Sequence, residues 1–295
     1  MDIQHYLKQK KAIVDNALVK FLPSKQTPPQ LLNKALRYTI FSGGKRLRPI
    51  LSMATIEAVG GNESIGIPTA CAIELIHNAA LIHDDLPCMD NDDYRRGKLS
   101  SHKVFGEAIA VLTGDALLNQ SFGLIARHQP LHGVSNEQVL AVIQEISHAV
   151  GIFGLIGGQI VDIQSDGKRK DLKTLEYISS HKTAGFIMAS VRCGAIIGNA
   201  TEDELSALTE YGHEIGMAFQ IVDDILDTIQ DKIPTKTACG NRNDKKITYV
   251  SVFGVEKAKE LALNRMEKAI KALETLDLNV EVLIALAKFF VERSY

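Results

Sequence analysis

Apolar residues recur along most of the chain at the three- and four-residue spacing that is typical of α-helices. One predicted helical face holds Val139, Val142, Ile143, Ile146 and Val150. Residues 258–269 combine an apolar face with a charged one, as expected of a helix at a surface. We find no long alternation of apolar and polar residues and no Asn-Gly or Asp-Gly hairpin between β-branched segments. The pattern predicts an all-α fold.

Two predicted helices are apolar on nearly every side, which indicates positions inside a large bundle. They cover Pro68–Leu81 and Gly212–Leu226. Predicted breaks fall at Leu22–Ser24, Ser42–Gly44, Val59–Asn62, Gln129–Gly133, Ser165–Lys170 and Ile233–Asn243. None of these breaks is long enough, or rich enough in Pro, Gly or Ser, to be a convincing linker between domains. We therefore expect residues 1–295 to form a single helical domain.

Composition and charge exclude several classes of protein. The 295 residues include 33 Lys plus Arg and 35 Asp plus Glu, so the net charge of -2 argues against a general nucleic-acid binder. Apolar residues make up 45% and charged residues 23%, which is typical of globular proteins and not of disordered ones. The first residues contain no signal-peptide core, and we expect no membrane-spanning segment. The four cysteines lack metal-site spacing, so we expect reduced thiols in a cytoplasmic protein.

The first cluster of acidic residues runs from His83 to Asp93 and follows an apolar helical run. Pro87 cannot donate a backbone hydrogen bond and should end that helix near Asp84. Asp84 and Asp85 then lie at the helix end, and Asp90 can return towards them on the irregular turn. A solvated acidic helix end is the alternative interpretation of this cluster taken alone.

The second cluster lies inside the other apolar helix. Asp223 and Asp227 are four residues apart on one helix face, with Asp224 beside the first and Gln220 about one turn earlier. Carboxylates so close to a core repel one another and lose hydration, so they need cations or protons. Oxygen ligands favour Mg²⁺, whereas zinc would need histidine or cysteine at metal spacing. Two such clusters on apolar helices therefore favour a magnesium-dependent site over two solvated helix ends.

Compact basic motifs complement these carboxylates. Gly43 and Gly44 precede Lys45, Arg46 and Arg48, and glycines let a backbone approach a ligand while arginine grips phosphate oxygens. Further cations stand in three other segments: Arg95, Arg96, Lys98, Lys182, Lys236, Lys245 and Lys246. Carboxylates for metal and separate cations suit two anionic ligands, one bound through Mg²⁺ and one bound directly. The chain has no P-loop, no GxGxxG after a strand, no GxSxG and no HExxH, which argues against nucleotide hydrolysis, dinucleotide redox chemistry and triad-type acyl transfer.

In combination, these motifs resemble the trans-isoprenyl diphosphate synthases of the short-chain group, which contains farnesyl and geranylgeranyl diphosphate synthases. Asp84–Asp90 resembles the first aspartate-rich motif of that family, and Asp223–Asp227 resembles the second. The other matching segments are Gly43–Pro49, His77, Arg95–Gly97, Gly114–Leu118, Gly157–Gln159, His181–Thr183 and Phe219–Gln220. The resemblance covers residues 41–249 and implies an all-α bundle around a deep cavity, in a homodimer.

The resemblance also implies roles for individual residues. It assigns metal binding to Asp84, Asp85, Asp90 and Asp223, with three Mg²⁺ ions expected per site. Asp224 and Asp227 complete the second motif. The allylic diphosphate would be bound with help from Arg95, Lys182, Lys236 and Lys246. Isopentenyl diphosphate would be bound by Lys45, Arg48, His77 and Arg96. Lys182, Thr183 and Gln220 would line the allylic cation and exclude water.

Three positions depart from the family pattern. Asn241 stands where the loop after Asp227 commonly has aspartate, and Thr235 stands in place of a glycine before Lys236, so closure of that loop is in question. Bacterial farnesyl synthases often have an aromatic residue five positions before the first aspartate, but here that residue is Ala79, followed by Ala80. A small side chain would deepen the cavity and allow a geranylgeranyl product. A bulky group from another helix would restore a farnesyl product, which is our first expectation.

Three other functions compete with this interpretation. A class I terpene cyclase shares the first motif, but it has a different second motif and needs no second diphosphate site. A phosphohydrolase read from His83-Asp84 would need a metal-binding histidine well upstream, and only His5 and His77 precede it. A non-catalytic subunit of a synthase would not need both aspartate motifs. The preferred allylic starter, dimethylallyl or geranyl diphosphate, is left open.

Overall fold

The computed structural model describes residues 2–165, 171–230 and 246–292, and most of this part of the chain is helical. In these ranges the helices are α1 (Ile3–Phe21), α2 (Gln30–Ile40), α3 (Leu47–Ala58), α4 (Ile67–Asp84), α5 (Ser101–Phe105), α6 (Glu107–His128), α7 (Asn136–Val150), α8 (Leu155–Ser165), α9 (Leu172–Ile178), α10 (Gly185–Ile197), α11 (Glu202–Gln230), α12 (Tyr249–Phe253), α13 (Val255–Leu273) and α14 (Glu281–Glu292). Short 3₁₀ turns cover Glu63–Gly66 and Pro130–His132, and a π-helical segment covers Ser179–Ala184. The all-α prediction is confirmed.

Helix ends coincide with the predicted breaks at the first four sites. The two predicted breaks nearest residues 166–170 and 231–245 fall mostly or wholly outside the described residues, as do Lys236, Lys245, Asn241 and Thr235. The helix before the first acidic cluster ends at Asp84, as predicted from Pro87.

The described chain divides into two compact units. The first unit comprises Asp2–Met53 and Glu63–Val139. The second unit comprises Ala54–Asn62 and Leu140–Tyr295. The expectation of a single domain over the whole chain stays a prediction.

In the first unit, α4 is the central helix and packs against α1, α2 and α6. Its side chains from Ala70 to Ile76 are buried, which confirms the interior position predicted for Pro68–Leu81. Leu117, Leu124 and Ile125 of α6 are buried in the same unit. The helix that ends at the first aspartate motif is therefore held on most of its circumference by apolar packing.

In the second unit, α11 has the central place and packs against α10, α13 and the π-helical segment. Ile221, Val222 and Ile225 of α11 belong to one apolar cluster with Ala258 and Ala262 of α13. This cluster surrounds the second aspartate motif and confirms that Gly212–Leu226 belongs in an interior.

A short antiparallel hairpin in the first unit was not predicted. Its strands, β1 (Tyr94–Arg95) and β2 (Lys98–Leu99), are two residues each, too short to give an alternating pattern. The turn between them has positive φ at Arg96 (54°) and Gly97 (75°), which matches a two-residue hairpin turn. An Arg-Gly pair is a weaker turn signal than Asn-Gly, so the hairpin was difficult to predict from the sequence.

Three helical stretches are long and apolar enough to cross a membrane by length and composition alone. They are Glu63–Asp84, Glu107–His132 and Asn136–Ser165. We did not predict stretches of this composition from the sequence. In Glu63–Asp84, 72% of the most apolar window is buried inside the protein. Interior helices of a large bundle share the apolar composition of membrane helices, so composition alone does not distinguish the two. The absence of a membrane-spanning segment stays a prediction.

Candidate active site

The first aspartate motif folds back on the end of α4. The backbone N–H of Asp90 donates to the carbonyl oxygen of Asp84 at 2.7 Å, and the N–H of Asn91 donates to Leu86 at 2.9 Å. Asn91 has φ of 53°, a left-handed conformation that asparagine tolerates better than most residues. The backbone therefore returns Asp90 to the helix end, as the sequence predicted.

Asp85 has a different environment from Asp84. Its side chain is 3% exposed, whereas Asp84 is half-buried. The Arg95 guanidinium donates twice to Asp85 Oδ1, through Nε at 2.9 Å and through Nη2, and once to Asp92 at 3.1 Å. Burial raises the pKa of Asp85 despite the opposing effect of Arg95. In this unit Asp85 therefore fixes the direction of Arg95, whichever ligand that arginine binds.

The basic loop before α3 contacts the β-hairpin. Arg96 Nη1 donates to the Gly43 carbonyl oxygen at 2.5 Å. Gly43 and Gly44 have φ of 125° and 123°, and a Cβ at Gly44 would lie 2.8 Å from the Arg96 guanidinium. Glycine is therefore required here by both conformation and space. Lys45 is exposed on this loop.

His77 lies on α4 near four arginines. Burial, followed by the positive charges of Arg48, Arg96, Arg46 and Arg95, lowers the pKa of His77 well below its usual value. The imidazole is therefore neutral at physiological pH and can donate one hydrogen bond without adding charge. A concentration of cations around a neutral donor is suited to an anionic group such as a diphosphate. The substrate-binding roles of Arg48, His77 and Arg96 stay predictions.

In the second unit, the π-helical segment holds Lys182 and Thr183. Lys182 Nζ donates to Asp162 Oδ2 at 2.6 Å, and both side chains are largely buried. A Cβ at Gly158 would lie 2.6 Å from the Lys182 backbone nitrogen, so α8 approaches the segment closely at this glycine. Single π-helical turns occur often at functional sites because the extra residue redirects side chains.

A chain of hydrogen bonds joins Thr183 to the second aspartate motif. Thr183 Oγ1 donates to Gln220 Oε1 at 2.6 Å, and Gln220 Nε2 donates to Asp224 Oδ1 at 2.8 Å. The backbone N–H of Tyr249 donates to Asp224 Oδ2 at 2.7 Å. Because the carboxylate of Asp224 can only accept when ionised, it fixes the orientation of the Gln220 amide.

The three aspartates of the second motif differ in exposure. Asp224 is buried, Asp223 is half-buried and Asp227 is exposed. Burial raises the pKa of Asp224 to about 7, and the charges of Asp227 and Asp223 act in the same direction. The motif therefore divides into a buried residue that organises Gln220 and two more accessible carboxylates.

The donor atoms of both motifs suit magnesium. They are carboxylate oxygens, which Mg²⁺ prefers, and it usually completes its shell with phosphate oxygens and water. Within the described part of the chain, no three side chains of His, Cys, Asp or Glu form a metal-binding group by themselves. An ion bound at Asp84 or Asp223 would thus depend on oxygen atoms from its ligand.

Sequence reasoning missed several side chains that organise the site. Asp162 follows Gln159 by three residues on α8, and this helical spacing was an available signal. Arg46 was treated with its neighbours as one basic motif. Glu74 and Asn78 are polar residues in an apolar helix, and this signal was left unused. Lys246 lies half-buried just before α12. Ala79 is 3% exposed on α4, and Ala80 is partly buried.

The profile of the polyprenyl synthetase family matches residues 29–285, so the chain belongs to this family. It is 43% identical to the large subunit 1 of a heterodimeric geranylgeranyl pyrophosphate synthase of Arabidopsis thaliana, covering 99% of this chain and 80% of that one. It is 38% identical to a farnesyl diphosphate synthase of Geobacillus stearothermophilus, covering 100% and 99%. A crystal structure of an FPP/GFPP synthase from Zymomonas mobilis superposes with a TM-score of 0.87 at 33% identity, covering 98% and 99%. The resemblance to the short-chain trans-prenyltransferases and their isoprenoid synthase fold is confirmed.

Proposed function

We propose that the protein condenses isopentenyl diphosphate with an allylic diphosphate, geranyl or dimethylallyl, and that its main product is farnesyl diphosphate. The observation that carries this proposal is that the positive charges of Arg48, Arg96, Arg46 and Arg95 act on His77, and Arg96 is held at 2.5 Å from the Gly43 carbonyl oxygen, in the unit that also bears the first aspartate motif. A second anionic substrate needs such a place, because the aspartate motif itself repels anions unless metal is bound.

In this proposal Asp84, Asp85, Asp90 and Asp223 would hold Mg²⁺, with three ions expected, and the metal would supply positive charge to the diphosphate that leaves the allylic substrate. Arg95 and Lys182 contribute cations whose directions are fixed by Asp85 and Asp162. Thr183 and Gln220 present oxygen atoms to the positive charge left on the allylic carbon.

Lys45, Arg48, His77 and Arg96 bind the diphosphate of the second substrate. Its double bond attacks the allylic cation, a new C–C bond forms, and a proton leaves to give the product alkene. Negative charge on the released diphosphate makes that group the acceptor of the proton.

The burial of Ala79 supports the fifteen-carbon product. Its side chain is only 3% exposed, so other protein atoms already cover the position where family members often have an aromatic group. If these atoms form the floor of the cavity, a small residue here does not deepen it.

A twenty-carbon product is the second candidate, because Ala79 is small and the Arabidopsis relative is named a geranylgeranyl pyrophosphate synthase. Offering farnesyl diphosphate as the starter separates the two. A farnesyl synthase leaves this starter unchanged, whereas a geranylgeranyl synthase extends it with isopentenyl diphosphate. Chromatography that shows mainly twenty-carbon product would overturn the farnesyl proposal.

The reaction class is tested by incubation with geranyl and isopentenyl diphosphates, with and without Mg²⁺. A synthase consumes both substrates and releases diphosphate only when Mg²⁺ is present. A terpene cyclase makes hydrocarbon without consuming isopentenyl diphosphate, and a non-catalytic subunit makes neither product.

We also propose a homodimer, supported by apolar side chains exposed in the second unit. Ile152, Phe153, Ile156, Ile160 and Ile163 are 46% to 73% exposed along α8 and the turn before it. A row of exposed apolar groups is unusual for a monomer and is typical of a protein–protein interface. A second copy of the chain is the occupant that the family resemblance implies.

A further inference from the structure

Arg46 stands between two residues proposed to bind diphosphate, yet its side chain is buried. It is 3% exposed, whereas Lys45 beside it is exposed. Arg46 has φ of 56°, a left-handed backbone conformation that is uncommon for a residue with a side chain. This conformation costs free energy and persists only where the surroundings enforce it.

Three acceptors from three helices surround the Arg46 guanidinium. Nε donates to Asp15 of α1 at 2.8 Å and Nη1 donates to Glu74 of α4 at 2.6 Å. Nη2 donates to the carbonyl oxygen of Ile40, the last residue of α2, at 2.6 Å. Every nitrogen of this group is therefore committed to the protein, and two carboxylates balance its charge.

The same network reaches Arg96 on the hairpin. Glu74 Oε1 also accepts from Asn78 Nδ2 at 2.8 Å, and Asn78 Oδ1 accepts from Arg96 Nη1 at 3.4 Å. Arg96 in turn donates to Gly43, three residues before Arg46. The loop of residues 43–46 is thus held at one end by the bond from Arg96 to Gly43 and at the other end by the contacts of the buried Arg46 side chain.

We propose that Arg46 is a positioning residue for the isopentenyl diphosphate site, anchoring the turn from which Lys45 and Arg48 extend and, through Glu74 and Asn78, the direction of Arg96. This proposal rests on the proposed function, which assigns those three cations to that substrate. Arg46 itself binds no substrate, because its donors are used and its side chain is buried.

The test compares the kinetic constants of Arg46→Lys with those of the wild-type protein. Lysine keeps the charge, but its single nitrogen cannot occupy the three positions from which the Arg46 nitrogens reach Asp15, Glu74 and Ile40. We expect the KM for isopentenyl diphosphate to rise roughly tenfold, with the KM for geranyl diphosphate changing less than about twofold. If Arg46→Lys does not fold, Asp15→Asn serves instead, because it removes one charge and keeps an acceptor oxygen.

A matched control is Arg192→Lys in the second unit. Arg192 also uses three nitrogens, two for Glu145 at 2.6 and 2.7 Å and one for Thr209 at 2.6 Å. Its replacement should lower the Tm and leave the KM for isopentenyl diphosphate unchanged. If Arg46→Lys behaves in the same way, Arg46 is only structural and the proposal is overturned.

A double-mutant cycle separates positioning from direct contact. If Arg46 acts through Lys45, then Arg46→Lys changes the KM less in a Lys45→Ala background than in the wild type. If the effects of the two substitutions on the KM are fully additive, the positioning role of Arg46 is overturned, while the assignment of Lys45 to the isopentenyl diphosphate site still stands. Calorimetry showing that the wild-type protein does not bind isopentenyl diphosphate overturns the proposed function instead.

Discussion

At the scale of single residues, both aspartate pairs divide in the same way. The first member, Asp84 or Asp223, is half-buried, and the second member, Asp85 or Asp224, is buried. Each buried member bonds to the protein: Asp85 to Arg95, and Asp224 to Gln220 and the Tyr249 backbone. In each pair the second carboxylate is therefore held by protein contacts, and the first is the more accessible of the two.

Replacing Asp84 with Asn tests the task of the first member. We expect kcat to fall by at least about a hundredfold, because a neutral amide is a weaker Mg²⁺ ligand. Binding of isopentenyl diphosphate, measured by calorimetry without Mg²⁺, should change less than about twofold. Asp93→Asn is the control, since the Asp93 side chain is 50% exposed, pairs with Lys103 at 2.9 Å and lies outside the motif. If Asp84→Asn loses the binding of both substrates, the proposal of two separate sites is contradicted.

Cys88 provides a chemical probe of the first motif. It is exposed between Asp85 and Asp90, whereas burial raises the pKa of the thiols of Cys71 and Cys193. A maleimide should therefore label Cys88 at least roughly tenfold faster than these two, because thiolate and access both govern the rate. Mass spectrometry of digested protein gives the rates. Mg²⁺ with an allylic diphosphate should slow the labelling of Cys88, and equal rates with and without them would place the ligand elsewhere.

At the scale of elements, the loop at Gly43 and Gly44 packs closely against the β-hairpin in the first unit. The Arg96 side chain occupies the space that a side chain at Gly44 would need. The hairpin turn at Arg96 and Gly97 and the loop at Gly43 and Gly44 all have positive φ, so both backbones are committed to uncommon conformations.

Gly44→Ala should displace Arg96. The new Cβ would approach its guanidinium to 2.8 Å at a φ of 123°, so both contact and conformation are unfavourable. We expect the KM for isopentenyl diphosphate to rise at least about fivefold in steady-state assays. Gly60→Ala shares a positive φ (81°), but its Cβ meets no atom within 4 Å. It should lower the Tm without raising this KM, and a rise in both variants would show that backbone strain alone is responsible.

The contact between α11 and α13 includes a partly buried ion pair with a defined pH dependence. Arg265 donates to Glu214 at 2.9 and 3.1 Å. Burial alone would raise the pKa of Glu214, but hydrogen bonds and charges from His213 and Arg265 lower it below its usual 4.5. The stabilisation is therefore complete above this value and is lost as the pH falls through the lower pKa of the folded protein.

Glu214→Gln should lower the free energy of unfolding by about 2 kcal/mol near neutral pH. The difference from wild type should shrink as the pH falls through the lowered pKa of Glu214, because both side chains are then neutral. Urea unfolding over a series of pH values measures it. Glu210→Gln, at an exposed position four residues earlier, should have no such effect, and a pH-independent loss in Glu214→Gln would indicate packing and not charge.

At the scale of the whole molecule, the exposed apolar side chains along α8 support the proposed homodimer. Ile156 and Ile160 are 49% and 52% exposed one turn apart. If a second copy covers them, replacing both with Lys should convert dimer to monomer in light scattering, because a buried unpaired ammonium is costly. Leu263→Lys is the control, at a position 43% exposed on α13. A wild-type protein that is already monomeric would contradict the homodimer.

The sequence predicted the helices well, because apolar periodicity and a proline or glycine at each break are local properties. Pro87 correctly predicted the end of α4, and the apolar run from Gly212 to Leu226 correctly predicted an interior helix. The site was predicted only as a set of residue types. Which of Lys45, Arg46 and Arg48 points inward depends on the left-handed backbone at Arg46 and on Asp15 and Glu74, and these are tertiary properties. The pairing of Lys182 with Asp162, twenty residues apart, is equally invisible to periodicity.

The π-helical segment at Ser179–Ala184 has a consequence for anyone who draws residues 172–197 as one helical wheel. Each hydrogen bond there spans five residues instead of four, so the segment holds one residue more than an α-helix of the same rise. Everything after it is offset by one residue, or about 100°. A wheel continued from α9 would therefore turn the side chains of α10 by that angle. Deleting one residue between Ser179 and Ala184 would restore ordinary winding and leave the apolar stripe of α10 facing its neighbours.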